Sequence, residues 1–303
     1  MIDDPAEALD ILLEELRRQK ATGVRHVSVS DGAMAALKAL AIGAAPSPLP
    51  ASSLRPPVAA GKPAAVMLAA GPKPVAGAEA PAQLVIPPPP IFTIPAGSKA
   101  ERMQALTALI HACVETRRHL SANQHPVVGT GSLSAKVLFV GDAPTVEEVE
   151  AGKPFVGPSG DLLQRILTAT AIPAEDIFLV NVMVWRPEPP TVFGKRPPTV
   201  KELAFNHPYL KAQIEIVRPQ VIVALGGQAF EALVRSGVPI TQARGQWSEF
   251  DGIPLMPTFH PNYLLHNPSA AAKRTLWEDF LLVMEKLAVP ITEKQRAFFT
   301  ASK

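Results

Sequence analysis

The sequence predicts an α/β fold, in which a parallel β-sheet is covered by helices on both faces. The prediction depends on two observations. Four short apolar runs, each bounded by Gly, Pro or polar residues, have the length and composition of buried strands. Segments with helical apolar spacing separate these runs, so strand and helix alternate along the chain. We expect strands near residues 136–141, 177–182, 220–226 and 253–258, and helices near residues 101–119, 159–171, 199–217, 227–236 and 272–288.

The first hundred residues have a different character. Residues 1–43 form a short N-terminal segment in which Leu9, Leu12, Leu13 and Leu16 recur at helical spacing. Residues 44–97 are rich in Pro, Ala and Gly and predict a disordered, semi-extended linker. The main domain is then expected at residues 98–290, with a C-terminal tail at 291–303. The N-terminal helices are open to two interpretations, as a docking module for a protein partner or as an extension that packs on the main domain.

Composition limits the class of protein. The formal net charge is only +2, so any affinity for nucleic acid must come from a local groove and be modest. No run of 18 or more uncharged apolar residues occurs, so no membrane association is expected. The acidic start is unlike a secretory signal, and the single cysteine, Cys113, excludes an intramolecular disulfide. We therefore expect a cytoplasmic protein, and a monomer.

One loop carries most of the chemical information. Gly141-Asp142-Ala143-Pro144 follows the first apolar run, and residues 152–160, Gly-Lys-Pro-Phe-Val-Gly-Pro-Ser-Gly, precede the next helix. Ligands bind at the carboxyl ends of the strands in open α/β sheets. Gly141 allows a close approach of the backbone to a ligand, Asp142 can orient a water, and Phe155 can stack on a flat ring. The alternative is a tight turn between strand and helix with a core phenylalanine.

Two later segments favour the ligand-binding interpretation. Asn181 ends the second apolar run, and His260 follows the last one. Parallel strands bring their carboxyl ends to one edge of the sheet, so Asp142, Phe155, Asn181 and His260 are expected to converge. A carboxylate, a ring, a bidentate amide and a hydrogen-bond donor together suit a planar nucleobase. Each residue also has a structural alternative: a helix-end anion, a core side chain, a turn former and a structural histidine, respectively.

These motifs resemble those of the uracil-DNA glycosylase superfamily. The resemblance includes Gly-Asp-Ala-Pro at 141–144, Gly-Lys-Pro-Phe-Val-Gly at 152–157, Asn181 before Trp-Arg-Pro at 185–187, and His-Pro at 260–261. It runs from about residue 101 to 288 and is nearest to family four, whose members hold an iron–sulfur cluster. It implies a three-layer αβα sandwich around a four-stranded parallel sheet. It also implies hydrolysis of the N-glycosidic bond of uracil in DNA, after the base has been flipped out of the helix.

The resemblance assigns roles to individual residues. Asp142 would position the attacking water and offset the positive sugar, and His260 would donate to the departing base. Substrate-binding roles fall on Gly141, Ala143, Phe155 and Asn181, where Asn181 would select uracil over cytosine. Contacts with DNA fall on Ser159, Pro261, Tyr263 and Leu264. Tyr263, Leu264 and Leu265 follow His260-Pro261 in a loop expected to wedge into the vacated space.

The sequence also departs from the family-four pattern. Family members usually have Glu at the position of Asp142 and Gly at that of Thr145. They also carry four cluster cysteines, of which only Cys113 is present; the other positions fall at or near Thr116, Trp185 and Asn206. A cubane cluster needs about four thiolates, so we expect no iron–sulfur cluster, no other cofactor and no metal.

Three functions therefore stay open. The first is a glycosylase that works without a cluster. The second is a relative that binds uracil-containing or single-stranded DNA without turnover, and the third is a glycosylase for another deaminated or damaged base. A covalent trap is not expected, because residues 192–198 contain no histidine.

Overall fold

The computed structural model describes residues 86–188 and 196–300, and its centre is a six-stranded sheet. The strands are β1 (Thr130–Gly131), β2 (Val137–Gly141), β3 (Ile177–Asn181), β4 (Val221–Leu225), β5 (Ser248–Phe250) and β6 (Ile253–Thr258), in the spatial order β1-β3-β2-β4-β6-β5. The four central strands are parallel, which confirms the predicted four-stranded parallel sheet. The two edge strands are antiparallel, so the whole sheet is mixed; they were not predicted, because two or three residues show no apolar alternation.

Helices cover both faces of this sheet and make the three layers of an αβα sandwich. Leu138 and Val140 of β2 face one hydrophobic core, which includes residues of the helices at 99–112, 200–217 and 227–234. Val137 and Phe139 face a second core, shared with the helices at 158–170 and 270–286. Since β2 and β4 are buried along their whole length, their near-continuous apolar sequences are what a central parallel strand requires.

The described residues contain ten α-helices. Four of them begin with a capping box, in which a Ser or Thr and a Glu or Gln three residues later satisfy each other's backbone N–H groups. The helices are α1 (Lys99–Ala112), α2 (Val114–Arg118), α3 (Val146–Ala151), α4 (Pro158–Thr170), α5 (Val200–Val217), α6 (Gly227–Val234), α7 (Ile240–Ala243), α8 (Pro261–His266), α9 (Ala270–Lys286) and α10 (Glu293–Arg296).

The helix predicted at 101–119 is two helices, and several short ones were missed. The extended backbone of Cys113, with φ −62° and ψ 121°, ends α1 and begins α2. The missed helices α3, α7, α8 and α10 have four to six residues, too few to display a helical apolar period. One of them, α8, replaces the loop expected after His260.

The described chain packs on the domain from its first residue. Ile86, Phe92 and Ile94, which composition assigns to the linker, pack against the first core, and the Phe92 ring stacks on Tyr209 with centroids 5.5 Å apart. Isolated apolar residues in an extended, proline-rich segment have no periodicity, so composition alone does not identify their packing. The segment 1–43 and the rest of the linker lie outside the described residues.

The chain beyond residue 290 also packs on the domain. Gln295 is buried: its backbone carbonyl accepts a hydrogen bond from the Trp277 indole at 2.7 Å, and its amide donates to the Ala169 carbonyl at 2.9 Å. The sequence analysis placed these residues in a tail. Within residues 86–188 and 196–300, no helix has the length and apolar character needed to span a membrane.

The packing of the segment before α1 leads to a stability prediction. Phe92→Ala should lower the free energy of unfolding by about 1–3 kcal/mol, because it removes a half-buried ring that stacks on Tyr209. Its neighbour Ile91 is fully exposed, and Ile91→Ala should change stability by less than about 0.5 kcal/mol. Urea unfolding followed by circular dichroism measures both, and equal effects would show that this segment does not belong to the folded domain.

Candidate functional site

A cavity of about 470 Å³ lies at the carboxyl ends of β2, β3 and β6. It collects side chains that are far apart in sequence, as the parallel sheet predicts. Asp142 follows β2, Asn181 ends β3, and His260 lies two residues after β6. The cavity is lined by Asp142, Ala143, Pro144, Thr145, Glu148, Ser159, Asn181, Arg186, Pro187, Arg196, Pro197, Gln228, His260, Asn262 and Tyr263.

Gly141 is the point where Asn181 and Phe155 meet. Gly141 and Asn181 are paired across β2 and β3. A Cβ atom added at Gly141 would lie 2.5 Å from Cζ of Phe155 and 2.8 Å from Oδ1 of Asn181. The ring and the amide therefore occupy the space that any side chain at 141 would need, and glycine is required there because of close packing. Phe155 is not among the residues that line the cavity; its half-buried ring lies against Gly141, as does the Asn181 amide, and is nearly parallel to the His260 ring, with centroids 6.1 Å apart.

Gly226 is the point where Asp142 and His260 meet, and their close packing leaves no room for a side chain there. A Cβ atom added there would lie 2.9 Å from Oδ1 and 3.0 Å from Oδ2 of Asp142, and 3.1 Å from Cβ of His260. The Asp142 carboxylate thus lies flat over Gly226, where Oδ1 accepts a hydrogen bond from the Ala229 backbone N–H at 3.2 Å. The two predicted catalytic residues are neighbours across one glycine.

Glu148, which the sequence analysis missed, organises the opposite wall. Its carboxylate is buried and accepts hydrogen bonds from the backbone N–H groups of Thr145, at 2.7 Å, and of Phe155. It also accepts from the Nδ2 of Asn181 at 3.2 Å. A carboxylate accepts and does not donate, so this contact points the Asn181 amino group at Glu148 and fixes which way the amide faces. The signal in the sequence was Thr145-Val146-Glu147-Glu148, a capping-box pattern that predicts the start of a helix.

Glu148 also holds Phe155 in an unusual backbone conformation. Phe155 has φ +55°, in the left-handed region that side chains other than glycine rarely adopt. Such a residue costs on the order of 1–3 kcal/mol unless its surroundings hold it. The hydrogen bond from the Phe155 N–H to Glu148 provides that hold, and it places the aromatic ring against Gly141.

Burial shifts the pKa values of the site in opposite directions for acids and bases. It raises the pKa of Asp142 to about 7, against the opposing effect of the Ala229 N–H. It also raises the pKa of Glu148, although the N–H groups of Thr145 and Phe155 and the Asn181 amide favour the ionised form. Burial lowers the pKa of His260 to about 4, so this imidazole is neutral at physiological pH.

The neutral His260 has one tautomer that fits its contacts. His260 is the N-cap of α8, and its Nδ1 accepts a hydrogen bond from the Asn262 N–H at 3.1 Å. Since Nδ1 accepts, the ring proton is on Nε2. His260 is therefore a neutral hydrogen-bond donor, a form suited to an oxygen that gains negative charge during a reaction.

The remaining predicted residues divide into two groups. Ala143, Ser159 and Tyr263 line the cavity. Pro261 is buried as the first residue of α8, and Leu264 is only 5 % exposed and packs in the second core. Leu264 is therefore corrected from a DNA contact to a core residue. The other two residues of the predicted wedge are exposed, Tyr263 to 40 % and Leu265 to 38 %. The helical turn of α8, which was not predicted, decides which leucine faces out.

Arg196 is a second residue of the cavity wall that the sequence analysis missed. Its guanidinium makes a bidentate pair with Glu202, both nitrogen–oxygen distances being 2.7 Å. Its Nε donates to the Glu188 carbonyl at 2.7 Å. Glu202 is buried and caps α5, so the contact lowers its pKa and fixes Arg196 to that helix. Arg196 lay in a stretch with no apolar pattern to assign it a place.

The residues at the predicted cluster positions do not suit an iron–sulfur cluster. Thr116, Trp185 and Asn206 stand where three thiolates would be needed, and Cys113 is the only cysteine of the chain. Nor do the described residues contain a group of three or more His, Cys, Asp or Glu side chains that can hold a metal ion. No step of the chemistry below depends on a cluster.

The fold and the site define a class: an αβα sandwich with a cavity at the carboxyl ends of its parallel strands, into which a carboxylate, an amide and an imidazole project. The sequence profile of the uracil DNA glycosylase superfamily matches residues 128–281, which is half of the chain. The chain belongs to this superfamily.

Individual relatives place the chain more closely. It is 39 % identical over 184 residues to a type-4 uracil-DNA glycosylase of Thermotoga maritima, and this match covers 60 % of the chain and 93 % of the relative. Proteins of the same name from Saccharolobus solfataricus and Archaeoglobus fulgidus are 35 % and 28 % identical, over 56 % and 66 % of the chain and 80 % and 98 % of the relative. Residues 128–281, which the superfamily profile matches, include every residue that lines the cavity.

The buried Asp142 carboxylate makes stability depend on pH. Its raised pKa means that the folded protein holds this proton more tightly than the unfolded chain, so Asp142 contributes less stability as the pH rises toward 7. Asp142→Asn keeps an acceptor for the Ala229 N–H and removes the charge. The stability advantage of the variant should grow by about 2–3 kcal/mol between pH 5 and pH 8. Urea unfolding at both pH values measures it, and a constant difference would contradict a raised pKa.

The Glu148 contacts predict a specific loss of order in the site. Glu148→Gln places an amino group where two or three N–H donors point, so at least one donor loses its acceptor. We expect a loss of about 1–3 kcal/mol in the free energy of unfolding and a less defined Asn181 amide. Glu150→Gln, an exposed change on the same helix, is the control and should be neutral. Unfolding curves and the Asn181 side-chain amide resonances in NMR spectra test this, and unchanged resonances in the Gln variant would show that Glu148 does not orient the amide.

Proposed function

We propose that this protein is a uracil-DNA glycosylase that hydrolyses the N-glycosidic bond between uracil and deoxyribose in DNA, without an iron–sulfur cluster. One observation carries the proposal: Asp142, Asn181 and His260 line one cavity, with the Asp142 carboxylate and the Cβ atom of His260 both against Gly226. Membership of the superfamily and similarity to type-4 uracil-DNA glycosylases support the choice of substrate.

Recognition of uracil follows from the orientation of Asn181. One hydrogen of Nδ2 is directed to Glu148, which leaves the second hydrogen and the lone pairs of Oδ1 for a ligand. Uracil presents a carbonyl acceptor beside an N–H donor on its Watson–Crick edge, which matches this pair. Cytosine presents the reverse order, so it would leave buried polar groups unpaired and be rejected. Because Glu148 prevents the amide from turning over, discrimination is built into the folded protein.

Bond cleavage uses the two residues beside Gly226. The uracil departs as an anion, and the neutral His260 donates a hydrogen bond from Nε2 to the oxygen on which the charge collects. The sugar gains positive charge as the bond breaks, and the ionised Asp142 offsets it and holds the attacking water. Ala229 keeps the Asp142 carboxylate in place throughout. A pKa of about 7 lets Asp142 take up the proton that the water releases.

Contacts with DNA come from the rim of the cavity. Tyr263 and Leu265 are exposed on α8 next to His260, where they can fill the space that a flipped base leaves. Ser159, near the start of α4, lines the same cavity. Phe155 does not line the cavity, and its part is to pack against Gly141 at the end of β2. The monomeric state, the cytoplasmic location and a protein partner for residues 1–43 stay predictions from the sequence.

The test is excision of uracil from a labelled oligonucleotide, followed by alkaline cleavage of the abasic product under single-turnover conditions. Wild-type protein should release uracil but not cytosine. His260→Ala should lower the rate by about 10²–10³-fold, because it removes the donor to the departing base. His266→Ala, an exposed histidine at the end of α8, is the matched control and should excise at the wild-type rate.

The outcomes separate the alternatives. Binding of uracil-containing DNA without release of the base would favour a module that binds but does not cleave. Release of another deaminated base in preference to uracil would favour the third function. Full activity of both His260→Ala and Asp142→Ala would show that the chemistry resides elsewhere in the chain.

A further inference from the structure

The three residues that replace cluster cysteines lie together and are fully packed. Thr116 is in α2, Trp185 follows β3, and Asn206 is in α5. Their exposed fractions are 0 %, 0 % and 1 %. Cys113, the remaining cysteine position, starts α2 and packs at the edge of the first core. Three segments of the chain, α2, the segment after β3 and α5, therefore carry the four positions that a cluster would cross-link.

Asn206 connects α5 to the segment after β3 by hydrogen bonds. Its Oδ1 accepts from the Val184 backbone N–H at 3.0 Å, and its Nδ2 donates to the Glu202 carbonyl at 2.9 Å. The Val184 carbonyl in turn accepts from the Val127 N–H at 2.8 Å. The peptide groups on both sides of Val184 are thus held, and the next residue is Trp185.

Trp185 connects the same segment to α2 and α5 by aromatic contacts. Its ring stacks on His119, with centroids 4.6 Å apart and planes 7° from parallel, and packs at a tilt on Phe205 at 5.4 Å. His119 is only 3 % exposed and is held through its Nε2 by the buried Glu115 at 3.1 Å. The His119 ring on which Trp185 stacks is therefore held in place by Glu115.

The segment fixed in this way forms part of the cavity wall. Arg186 and Pro187 directly follow Trp185, and both line the cavity that contains Asp142 and His260. We propose that Trp185, Asn206, His119 and Glu115 form a cofactor-free tie, which takes the mechanical role of a metal cluster and positions Arg186 and Pro187 in the wall of the base-binding cavity. This role of the tie rests on the proposed function only where KM is measured; the iron-binding measurement does not depend on it.

The polar atoms around the tie support its location at a cluster position. Thr116 Oγ1, His119 Nδ1, Trp185 Nε1 and the Tyr209 hydroxyl are buried without a hydrogen-bond partner. The Tyr209 hydroxyl lies beside both the Cys113 thiol and the Thr116 hydroxyl, short of regular hydrogen-bond geometry. A site optimised only for apolar packing would not retain several such polar atoms, because an unpaired one costs about 1–3 kcal/mol.

The first experiment restores the ligands. Thr116→Cys, Trp185→Cys and Asn206→Cys, combined with the native Cys113, should give a protein that binds about four irons per chain after anaerobic reconstitution with iron and sulfide, with a broad visible absorption band. The same three changes with Cys113→Ser are the matched control and should bind less iron and lack the band. Wild-type protein should bind none.

This readout does not require activity, so it stands even if the protein excises no base. Circular dichroism before and after reconstitution shows whether each variant is folded. A triple variant that folds only in the presence of iron would also support the convergence of the four positions. A triple variant that is folded but binds no iron, or no more iron than its Cys113→Ser control, would show that the four positions do not converge.

The second experiment tests positioning. Trp185→Ala should raise the KM for uracil-containing DNA at least about tenfold, because the wall that carries Arg186 is no longer fixed. Trp185→Phe keeps a ring on His119, so its KM should stay close to the wild-type value. Phe280→Ala, a buried ring in the second core, is the stability control. All variants are assayed well below their unfolding temperatures.

A role in stability alone would lower the unfolding temperature of Trp185→Ala and Phe280→Ala alike and leave both KM values unchanged. That result would overturn the positioning role of the tie. If wild-type protein shows no excision, the proposed function fails. The dissociation constants of the same variants for uracil-containing DNA then replace KM. Equal dissociation constants for wild type and Trp185→Ala would overturn the positioning role of the tie independently of the proposed function.

Discussion

Glu148 places a carboxylate inside the domain, between the loop after β2 and the end of β3, where water cannot solvate it. Burial of an ion costs several kcal/mol unless donors replace its water. Here the donors come from three parts of the site: the N–H of Thr145, the N–H of Phe155 and the amide of Asn181. The first fixes the start of α3, the second holds Phe155 in a left-handed conformation, and the third sets the direction in which the Asn181 amide faces. The arrangement of this wall of the cavity thus follows from the need to satisfy one charge.

Burial also acts on the ionisable groups of the opposite wall, Asp142 and His260, but there it favours the neutral forms. Around Asp142 and His260 burial is not balanced by several donors, so both groups shift toward their neutral forms. The neutral His260 still has a donor, since Nδ1 accepts from the Asn262 N–H and the ring proton is on Nε2. For Asp142 the shift brings its pKa near physiological pH, where it can both carry charge and accept a proton. Close contact with Gly226 and the hydrogen bond from Ala229 fix this carboxylate, whereas a Glu would reach about one methylene further into the cavity.

The sequence predicted those parts of the fold that repeat a pattern. The four central strands lie within a residue or two of their expected positions, because long apolar runs have few alternatives in an α/β chain. Asp142, Asn181 and His260 converge because parallel strands end at one edge. Glu148 and Arg196 were missed because their importance comes from tertiary hydrogen bonds that leave no periodic signal. Leu264 was misplaced because the turn of α8 has only six residues, too few to show which leucine faces the core.

A metal cluster and a set of side-chain contacts hold a segment in different ways. Four thiolate bonds tolerate almost any packing around them, whereas stacking and hydrogen bonds are worth about 1 kcal/mol each and act only if the shapes match. A tie without a cofactor therefore needs several contacts from one rigid element, and α5 supplies them. Glu202 and Asn206 lie one turn apart on this helix: Asn206 holds Val184, and Glu202 holds Arg196, which in turn binds the Glu188 carbonyl. One face of α5 thus holds the chain on both sides of Arg186, so the cavity wall derives its rigidity from a helix that begins with a capping box at Thr199 and ends at Arg218 in the left-handed conformation.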